Sequence, residues 1–300
     1  MTKRLAARAR VVDDARAFFA GRGFLEVETP ILVPSPGLDL HLDAFPVLRN
    51  RYLSTSPEYQ MKRLLADGLP RIFQIGKAFR QNEVGSRHNP EFTILEWYRA
   101  NAGIDEVVRD TEQLVARVTG GQVVLGDRRV DTAPPFERMT VCEAYATFAK
   151  TSEDETLAMA ATDEDRFFRL LVDVVEPALA RIDCAVILTE YPASQASLAR
   201  KKPGDPRVAE RFELYVAGVE LCNGFGELVD AKEQRARLLD DQAMRRARGL
   251  PVYPIDERFL EALTRVPPSG GNALGLDRLA ALASGTTVIA DVMAFTADEL

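Results

Sequence analysis

A polar loop between two apolar segments holds residue types that would bind a nucleotide. The apolar segments run from Arg71 to Phe79 and from Phe92 to Tyr98. Arg80 follows the first segment directly, and an aromatic ring opens the second. A guanidinium is a permanent cation that suits a phosphate, an aromatic face suits a base, and loop backbone suits the edge of that base. We therefore expect a nucleotide site in this loop.

Two glutamates in a later segment, Glu213 and Glu220, predict a cation site. If Ala217 and Gly218 form a two-residue hairpin turn, Tyr215 faces Glu220 and both carboxylates share one face. Carboxylates held close together repel each other unless a cation lies between them, and Mg²⁺ carrying nucleotide phosphates suits such oxygen ligands. The alternative is a helix with a glutamate at every seventh position on its solvated face. The glycines, β-branched residues and aromatic residues of the segment favour the hairpin.

A glycine-rich segment, GGNALGLDRL from Gly270 to Leu279, leads into a predicted helix. Small residues let the backbone approach a ligand closely. Arg278 lies in the first turn of that helix, where it would be held in place for a phosphate tail. Taken alone, the segment is also typical of close packing beside an ordinary surface arginine.

The elements that must position these residues do not follow a regular βαβ rhythm. Apolar spacing predicts helices at residues 5–20, after Pro57, and at 104–118, 167–180, 231–248 and 277–283. Strands are predicted at residues 24–30, 52–55 and 185–188, in the two hairpins described above and before the last helix. Residues 120–165 are predicted to be a helical insert. This order predicts an α+β fold with a mixed, mainly antiparallel sheet and helices around it.

Composition excludes several classes of function. A formal net charge of −7 over 300 residues argues against broad clamping on nucleic acid, although a local basic patch is compatible with it. Two histidines exclude a multi-histidine metal site, and three scattered cysteines argue against a disulfide framework or a zinc site. The sequence has neither a signal-peptide pattern nor an apolar run of membrane-spanning length. We therefore expect a cytoplasmic protein without a membrane partner.

Three segments, in this order, resemble the three signature motifs of class II aminoacyl-tRNA synthetases. FLEVETPIL with Pro30 resembles the dimer-forming first motif, residues 79–98 resemble the second, and GNALGLDR resembles the third. The sequences TSPEY from Thr55 and ELCNGF from Glu220 resemble the lysyl branch. The resemblance implies the α+β catalytic core of this family, with a mainly antiparallel sheet flanked by helices. It also implies ATP and Mg²⁺ as cofactors and a homodimer.

Within the lysyl branch, the chain resembles stand-alone paralogues that modify elongation factor P. Its motifs begin within the first thirty residues, so we expect residues 1–300 to form a single synthetase-like catalytic domain without an N-terminal anticodon-binding barrel. Ser56 and Ala273 stand where lysyl-tRNA synthetases usually carry Ala and Gly, and YPASQASLA from Tyr191 also looks like the ligase form. The resemblance implies an ATP-dependent, AMP-forming ligase that joins (R)-β-lysine or lysine to a lysine ε-amine of elongation factor P, with tRNA not expected as a partner.

The same resemblance implies roles for individual residues. Arg80 and Arg278 match the catalytic arginines, and Glu213 and Glu220 match the magnesium-binding pair. The residues that match ATP-binding positions are Arg80, Gln81, Asn82, Glu83, His88, Asn89, Phe92, Glu220, Leu221, Gly275 and Arg278. The residues that match substrate-binding positions are Ser56, Pro57, Glu58, Tyr98, Asn223, Glu227 and Ala273.

Two of these matches bear on specificity. Glu227 and Tyr98 match the pair that receives the side-chain ammonium of lysine, and a carboxylate with a phenol would select a long cationic side chain. Phe92 matches the ring that stacks on adenine.

The chain departs from the family after Arg80, because it reads Gln-Asn-Glu where the family usually reads Asn-Glu. Either Asn82 or Glu83 would therefore lie beside the adenine.

Three other functions stay open at this point. A truncated lysyl-tRNA synthetase-like enzyme would acylate tRNA instead of a protein. A catalytically silent regulatory paralogue would bind a partner or an amino acid, but it would be expected to have lost ATP-binding residues such as Arg80 and Glu213, which are present here. A metabolic amide-forming synthetase on the same fold would be expected to lack the ammonium pocket.

Overall fold

The chain divides into two compact units, which are described separately. A computed structural model describes residues 2–300, except for the side chain of Thr2. Unit 1 contains the residues up to Ala102 together with Leu228–Ser269 and Ala273–Leu300. Unit 2 contains Gly103–Glu227 and Gly270–Asn272. The single catalytic domain expected from the sequence stays a prediction.

Ten α-helices lie within residues 2–300. They are α1 (Thr2–Ala20), α2 (Glu58–Ala66), α3 (Ile104–Thr119), α4 (Val141–Ala144), α5 (Glu153–Thr162), α6 (Glu164–Leu170), α7 (Glu176–Leu179), α8 (Ala231–Ala247), α9 (Glu257–Leu263) and α10 (Leu276–Ala283). Shorter helical stretches are the π-helical Tyr145–Ala149 and Leu171–Val175 and the 3₁₀-helical Ala193–Gln195, Ile289–Asp291 and Ala297–Glu299. No helix in the described part of the chain is both long and apolar enough to cross a membrane.

Fourteen strands lie in the same range. They are β1 (Leu25–Glu26), β2 (Leu32–Val33), β3 (Pro46–Leu48), β4 (Arg51–Leu53), β5 (Arg71–Phe79), β6 (Glu91–Ala100), β7 (Gln122–Leu125), β8 (Arg128–Asp131), β9 (Glu137–Thr140), β10 (Val186–Pro192), β11 (Lys201–Lys202), β12 (Asp205–Val216), β13 (Val219–Gly226) and β14 (Ser269–Gly275). Strand β14 contributes residues to both units.

Antiparallel pairs dominate the sheets of both units. In unit 1, β5 is antiparallel to β6 and parallel to the short β1, and a small sheet has the order β2-β4-β3. In unit 2 the order is β13-β12-β10-β9, with β11 beside β12 and only the β10–β9 pair parallel, and β7 forms a separate hairpin with β8. The predicted α+β fold with a mixed, mainly antiparallel sheet is confirmed.

Most of the predicted elements are present, but two predictions were wrong in part. The predicted helical insert at residues 120–165 begins with the three strands β7, β8 and β9, and its helices start only at Val141. The alternation that buries Val123 and Val130 on either side of a Gly-Asp turn signals this hairpin, and the acidic run at 152–165 obscured it. The strand expected at residues 24–30 is only Leu25–Glu26, although the amide of Val27 continues the pairing by donating to Phe73 O at 2.9 Å.

Aromatic rings fix α1 against the β5–β6 hairpin in unit 1. The ring of Phe19 on α1 lies 5.0 Å from that of Phe73 on β5 and 5.1 Å from that of Trp97 on β6. All three side chains are buried. Burial of such large apolar surfaces is the main term that holds a helix to a sheet. The hairpin that carries the predicted nucleotide loop therefore rests on a packed core.

A second aromatic core covers β10 in unit 2. Tyr145 stacks on Phe167 with ring centroids 5.0 Å apart, and its hydroxyl donates to Phe167 O at 2.7 Å. Val186 and Leu188 of β10 belong to the same buried cluster. The hydrogen bond satisfies a hydroxyl that would otherwise be costly to bury. This core supports the strand next to the carboxylate hairpin.

Replacing Gly224 with alanine is expected to destabilise unit 2. Gly224 pairs with Phe212 across β12 and β13, and an added Cβ would lie 2.3 Å from Phe212 Cε1. Overpacking of this kind costs about 1–3 kcal/mol, so the free energy of unfolding measured with urea should fall by that amount. Gly85→Ala is the matched control, because no atom lies within 4 Å of the Cβ it would add. Equal urea midpoints for the two variants would contradict the packing described here.

Candidate active site

The antiparallel hairpin of β5 and β6 positions the nucleotide loop of unit 1, residues 80–90. The two strands pair along their whole length, from Arg71 with Arg99 to Phe79 with Glu91. The amide of Arg80 donates to Pro90 O at 2.9 Å, which closes the base of the loop. An isolated bridge between Gly85 and His88 turns the chain at the tip. The loop is therefore a continuation of a rigid hairpin.

The structure places the predicted phosphate-binding arginine against the predicted adenine-stacking ring. The guanidinium of Arg80 lies 5.0 Å from the ring centroid of Phe92. Its Nη1 donates to Glu83 Oε1 at 3.4 Å, and its Nε donates to Thr55 O at 3.4 Å. These long contacts hold the guanidinium in place and leave it half-buried and available to an anion. A cation and an aromatic face thus lie side by side in unit 1.

Arg278 reaches the same loop from the first turn of α10. Its Nε donates to Arg87 O at 3.2 Å, and its Nη2 lies 2.7 Å from His88 Nε2. Burial and the nearby Arg278 guanidinium lower the pKa of His88. The imidazole is therefore neutral near pH 7, and its Nε2 accepts the hydrogen bond from Arg278. Gly275 at the end of β14 lies next to this arginine, and a Cβ added to it would be 3.3 Å from Arg278 Cδ.

Asn89 shapes the loop through both ends of its side-chain amide. Its Nδ2 donates to Glu91 O at 2.6 Å, and its Oδ1 accepts from the amide of Ala297 at 2.9 Å. The side chain is buried. The direct contact of Asn89 with ATP stays a prediction.

The sequence left open whether Asn82 or Glu83 lies beside the adenine, and the structure gives the two side chains different neighbours. Asn82 adopts a left-handed backbone with a φ of 81°, and its Nδ2 donates to Asp43 Oδ2 at 3.3 Å. Glu83 instead contacts Arg80. Asparagine tolerates positive φ better than most residues, which suits this turn. The amide of the preceding residue, Gln81, donates to Asp43 O at 2.7 Å.

A buried carboxylate, Glu96, joins the predicted substrate-binding residues of unit 1. Its Oε1 accepts from Ser56 Oγ at 2.6 Å, and its Oε2 accepts from Tyr98 OH at 2.9 Å. Glu58 lies near enough to repel it and forms an ion pair with the fully buried Lys62 at 2.6 Å. Ser56 Oγ also accepts from the amide of Glu58 at 3.1 Å, and Pro57 between them occupies the N-cap position of α2. We call Ser56, Glu58, Glu96 and Tyr98 the acidic cluster.

Burial first, and then repulsion by Glu58, raises the pKa of Glu96 to about 8. The carboxyl is therefore largely protonated near neutral pH and would ionise when a cation binds beside it. Sequence reasoning missed this residue. The available signal was a glutamate inside an apolar strand, between the buried Leu95 and Trp97 and two positions before Tyr98.

The carboxylate hairpin of unit 2 has the turn expected from the sequence. Ala217 and Gly218 both have positive φ, 52° and 76°, as a tight hairpin turn requires. Tyr215 pairs with Glu220, and Glu213 pairs with Asn223 two positions further along β12. The register skips Leu221, which is the extra residue of a β-bulge and is buried. Glu213 and Tyr215 are two positions apart and therefore share a face of β12, and Glu220 pairs with Tyr215 on that face. Glu213 and Glu220 thus lie on the same face of the hairpin.

Glu213 is extensively hydrogen-bonded within unit 2. Its Oε2 accepts from Tyr191 OH at 2.6 Å and from Tyr215 OH at 2.7 Å. Its Oε1 accepts from Arg211 Nη2 at 2.7 Å. Burial, and then the Glu213 charge, raises the pKa of Tyr191 and of Tyr215. Both phenols therefore stay protonated and remain hydrogen-bond donors to Glu213.

These residues are compatible with a magnesium ion that also binds phosphate. Residues 2–300 contain no group of three or more His, Cys, Asp or Glu side chains that would hold a metal ion by themselves. Magnesium usually takes one or two carboxylates and completes its shell with phosphates and water. A carboxylate has about four lone-pair sites, and the three hydrogen bonds to Glu213 leave room for a cation. Glu213 and Glu220 as ligands stay a prediction.

The remaining predicted substrate residues are placed by β13 and β14. The Oδ1 atom of Asn223 is buried and has no hydrogen-bond partner within residues 2–300. A buried acceptor of this kind suits a donor on a ligand. Glu227 follows β13, is buried, and lies in unit 2, whereas Tyr98 lies in unit 1. Their pairing around one ammonium stays a prediction, as does the part of Ala273, which lies half-buried on β14 in unit 1.

Comparison with known proteins gives a family and a set of close relatives. The family model "tRNA synthetases class II (D, K and N)" matches residues 1–299. A protein of Salmonella paratyphi A named elongation factor P–(R)-β-lysine ligase is 42% identical over 310 residues, which cover 97% of this chain and 94% of that protein. A protein of Enterobacter sp. strain 638 with the same name is 43% identical over 312 residues, with the same coverage.

Replacing Glu96 with glutamine tests the raised pKa of the buried carboxyl. The ordinary pKa of a glutamate is 4.5, and that of Glu96 in the folded chain is about 8. At a pH between these two values, the folded chain holds a proton on Glu96 that the unfolded chain has lost. The free energy of unfolding therefore falls as pH rises through that range, by at most about 1.4 kcal/mol per pH unit from this group. Above about pH 8, the contribution of Glu96 no longer changes with pH. Glu96→Gln should thus gain stability relative to the natural chain as pH rises, as followed by urea denaturation across the range.

Glu91→Gln is the matched control on the same strand. Glu91 is exposed and forms an ion pair with Lys77, so its replacement should change stability little at any pH. A stability difference between Glu96→Gln and the natural chain that does not vary with pH would contradict the raised pKa.

Proposed function

The chain belongs to the class II tRNA synthetases of the D, K and N group, and we propose that it is an ATP-dependent ligase that acts on elongation factor P. In this proposal it activates (R)-β-lysine, or lysine, as an adenylate and transfers it to a lysine ε-amine of that protein. The observation that carries the proposal is the match along 97% of the chain with relatives named for this activity. The acidic cluster and the Arg80–Phe92 pair of unit 1 support it.

The first step joins the amino acid to the nucleotide. A carboxylate oxygen of the amino acid attacks the α-phosphorus of ATP, an O–P bond forms, and pyrophosphate leaves with the electrons of the broken bond. Arg80 would bind the α-phosphate and the reacting carboxylate, and Arg278 would bind the γ-phosphate. Both are permanent cations held by the backbone of unit 1. Little proton transfer is needed, so positioning and electrostatic stabilisation supply the rate enhancement.

The second step transfers the acyl group. A neutral lysine ε-amine of elongation factor P attacks the carbonyl carbon of the adenylate, AMP leaves, and the amine nitrogen loses a proton. No residue of this chain needs to form a covalent intermediate. Cys222 is consistent with this, because burial raises the pKa of its thiol to about 12 and keeps it protonated.

Recognition of the amino acid rests on charge. Glu58, Glu96 and Tyr98 present two carboxyl groups and a phenol, and an ammonium group bound there would allow Glu96 to ionise despite the nearby Glu58. In unit 2, we propose that Glu227 and Asn223 bind amino groups of the substrate. The methyl group of Ala273 would contribute to the choice between the α- and β-amino acid, although such a change discriminates by only about 1–3 kcal/mol.

Mg²⁺ is the proposed cofactor beside ATP, and Glu213 and Glu220 are its proposed ligands. When bound, the ion would neutralise phosphate charge as pyrophosphate departs. The adenine would stack on Phe92. The nucleotide loop of unit 1 is proposed to contact ATP through Gln81, Glu83 and His88. In unit 2, Leu221 is also a proposed ATP-binding residue.

A homodimer is also proposed, through the segment that resembles the first motif. Three apolar side chains of this segment are exposed in unit 1, at 53% for Leu25 and 42% each for Ile31 and Leu32. Exposed apolar side chains grouped in one segment are typical of an interface. A cytoplasmic location, and the exclusion of tRNA as a partner, stay predictions from the sequence.

Intact-mass spectrometry of elongation factor P tests the proposal directly. After incubation with this protein, ATP, Mg²⁺ and (R)-β-lysine or lysine, the mass should rise by one lysyl residue with at least one of the two isomers. A parallel reaction with tRNA should leave the tRNA unacylated. Acylated tRNA together with unmodified elongation factor P would instead favour a tRNA-charging enzyme, and no product with any acceptor would favour the silent paralogue.

The role of Arg80 is tested by Arg80→Lys. Lysine keeps the charge but loses the planar fork that binds a phosphate and a carboxylate together. The rate of amino-acid-dependent ATP–pyrophosphate exchange should fall by about 10²–10³-fold, which is typical for the loss of a group that stabilises transition-state charge. Arg71→Lys, on the exposed start of β5, is the matched control and should keep the natural rate. A natural exchange rate for Arg80→Lys would exclude Arg80 from the chemistry.

A further inference from the structure

A fully buried arginine on α8, Arg245, binds the loop formed by residues 39–44 in unit 1. Its Nε donates to Pro251 O at 2.6 Å, and its Nη2 donates to Asp43 Oδ1 at 2.5 Å. Its Nη1 lies within hydrogen-bond distance of three carbonyl oxygens of the loop, those of Asp39, Leu40 and Leu42. The guanidinium also lies 4.8 Å from the ring centroid of Tyr253.

These contacts fix the shape of a loop that has no regular structure of its own. Residues 39–44 belong to no helix or strand. Burying a guanidinium is costly unless it is paired and hydrogen-bonded, and here the loop supplies most of the acceptors. Tyr253 adds a further contact, since its hydroxyl accepts from the amide of Ala44 at 2.8 Å. The conformation of the loop therefore depends on Arg245.

Asp43 connects this loop to the nucleotide loop at two points. Its carbonyl oxygen accepts from the amide of Gln81 at 2.7 Å. Its carboxylate lies between two side chains, with Oδ1 bound to Arg245 and Oδ2 accepting from Asn82 Nδ2 at 3.3 Å. Gln81 and Asn82 directly follow Arg80. A change in the position of Asp43 would therefore move the backbone next to the proposed phosphate-binding residue.

We propose that Arg245 is a positioning residue, which sets the affinity for ATP by holding Asp43 and, through it, Gln81 and Asn82. The proposal rests on the proposed function in that it takes residues 80–90 as the ATP-binding loop. The side chain of Arg245 is fully buried, so the proposed role is indirect. The acidic cluster makes none of the contacts of Arg245, so loss of Arg245 should weaken binding of ATP and leave the amino acid unaffected.

Two variants break the contact in different ways. Arg245→Lys keeps the charge but loses the planar guanidinium that donates hydrogen bonds to acceptors in several directions. Asp43→Asn keeps the size of the side chain and the backbone contact with Gln81 while removing the anion. The matched control is Arg246→Lys, because the neighbouring Arg246 is exposed and its side chain contacts Gln242 on the same helix.

The readout is calorimetric binding of ATP with Mg²⁺ to each folded variant, together with the KM values for ATP and for the amino acid in pyrophosphate exchange. We expect Kd and KM for ATP to rise about tenfold in Arg245→Lys and in Asp43→Asn, as for the loss of one hydrogen bond to a charged group. The KM for the amino acid should stay within about twofold of the natural value, and Arg246→Lys should match the natural chain throughout. The double variant should be no weaker than the worse single variant, since the two residues act through one contact.

Unchanged ATP binding in Asp43→Asn, or an equal rise in both KM values, would overturn the proposal. If Arg245→Lys does not fold, Asp43→Asn decides the question alone. If the natural chain binds ATP but shows no pyrophosphate exchange with any lysine isomer, the proposed function is contradicted instead. Calorimetric comparison of ATP binding by the variants and the natural chain would still decide the role of Arg245.

Discussion

The pairing of β5 with β6 is the constraint on which the candidate site of unit 1 depends. Side chains alternate between the two faces of a strand, so Phe92, Glu96 and Tyr98 all lie on one face of β6. At about 3.3 Å per residue, four residues separate Phe92 from Glu96 by roughly 13 Å. This spacing suits a nucleotide with its base at one end and an amino acid at the other. Arg80, which contacts Phe92, provides a cation where the phosphates would lie.

Two buried carboxyl groups in the chain, Glu213 and Glu96, have different hydrogen-bond partners. In unit 2, Glu213 accepts hydrogen bonds from Arg211 and two tyrosines, which stabilise its charge. In unit 1, Glu96 has two neutral donors and a second carboxylate nearby, and its pKa is raised to about 8. A group that is costly to ionise until a cation arrives is a means of recognising an ammonium group. The acidic cluster thus favours a substrate that brings its own positive charge.

The sequence predicted those features that follow from local patterns. Both hairpins were predicted because alternation and turn residues lie close together in the chain, and the pairing of Tyr215 with Glu220 followed from one two-residue turn. The apolar strand around Glu96 signals its burial, but local sequence does not reveal that Ser56, which is 40 residues away, supplies its hydrogen bond. The contact between Arg245 and Asp43 spans 202 residues, beyond the reach of any local pattern. Strands β7 to β9 were not predicted because each has only four residues, which is too short for a clear alternating pattern near the acidic run at 152–165.

A crystal structure with an unreactive sulfamoyl analogue of β-lysyl-adenylate would test the proposed site of unit 1 most directly. We expect the adenine to stack on Phe92, the sulfamoyl group to lie against Arg80, and an ammonium group of the amino acid to contact the acidic cluster. An adenine ring away from Phe92, or amino groups of the analogue that all lie far from Glu96 and Tyr98, would contradict the proposed site.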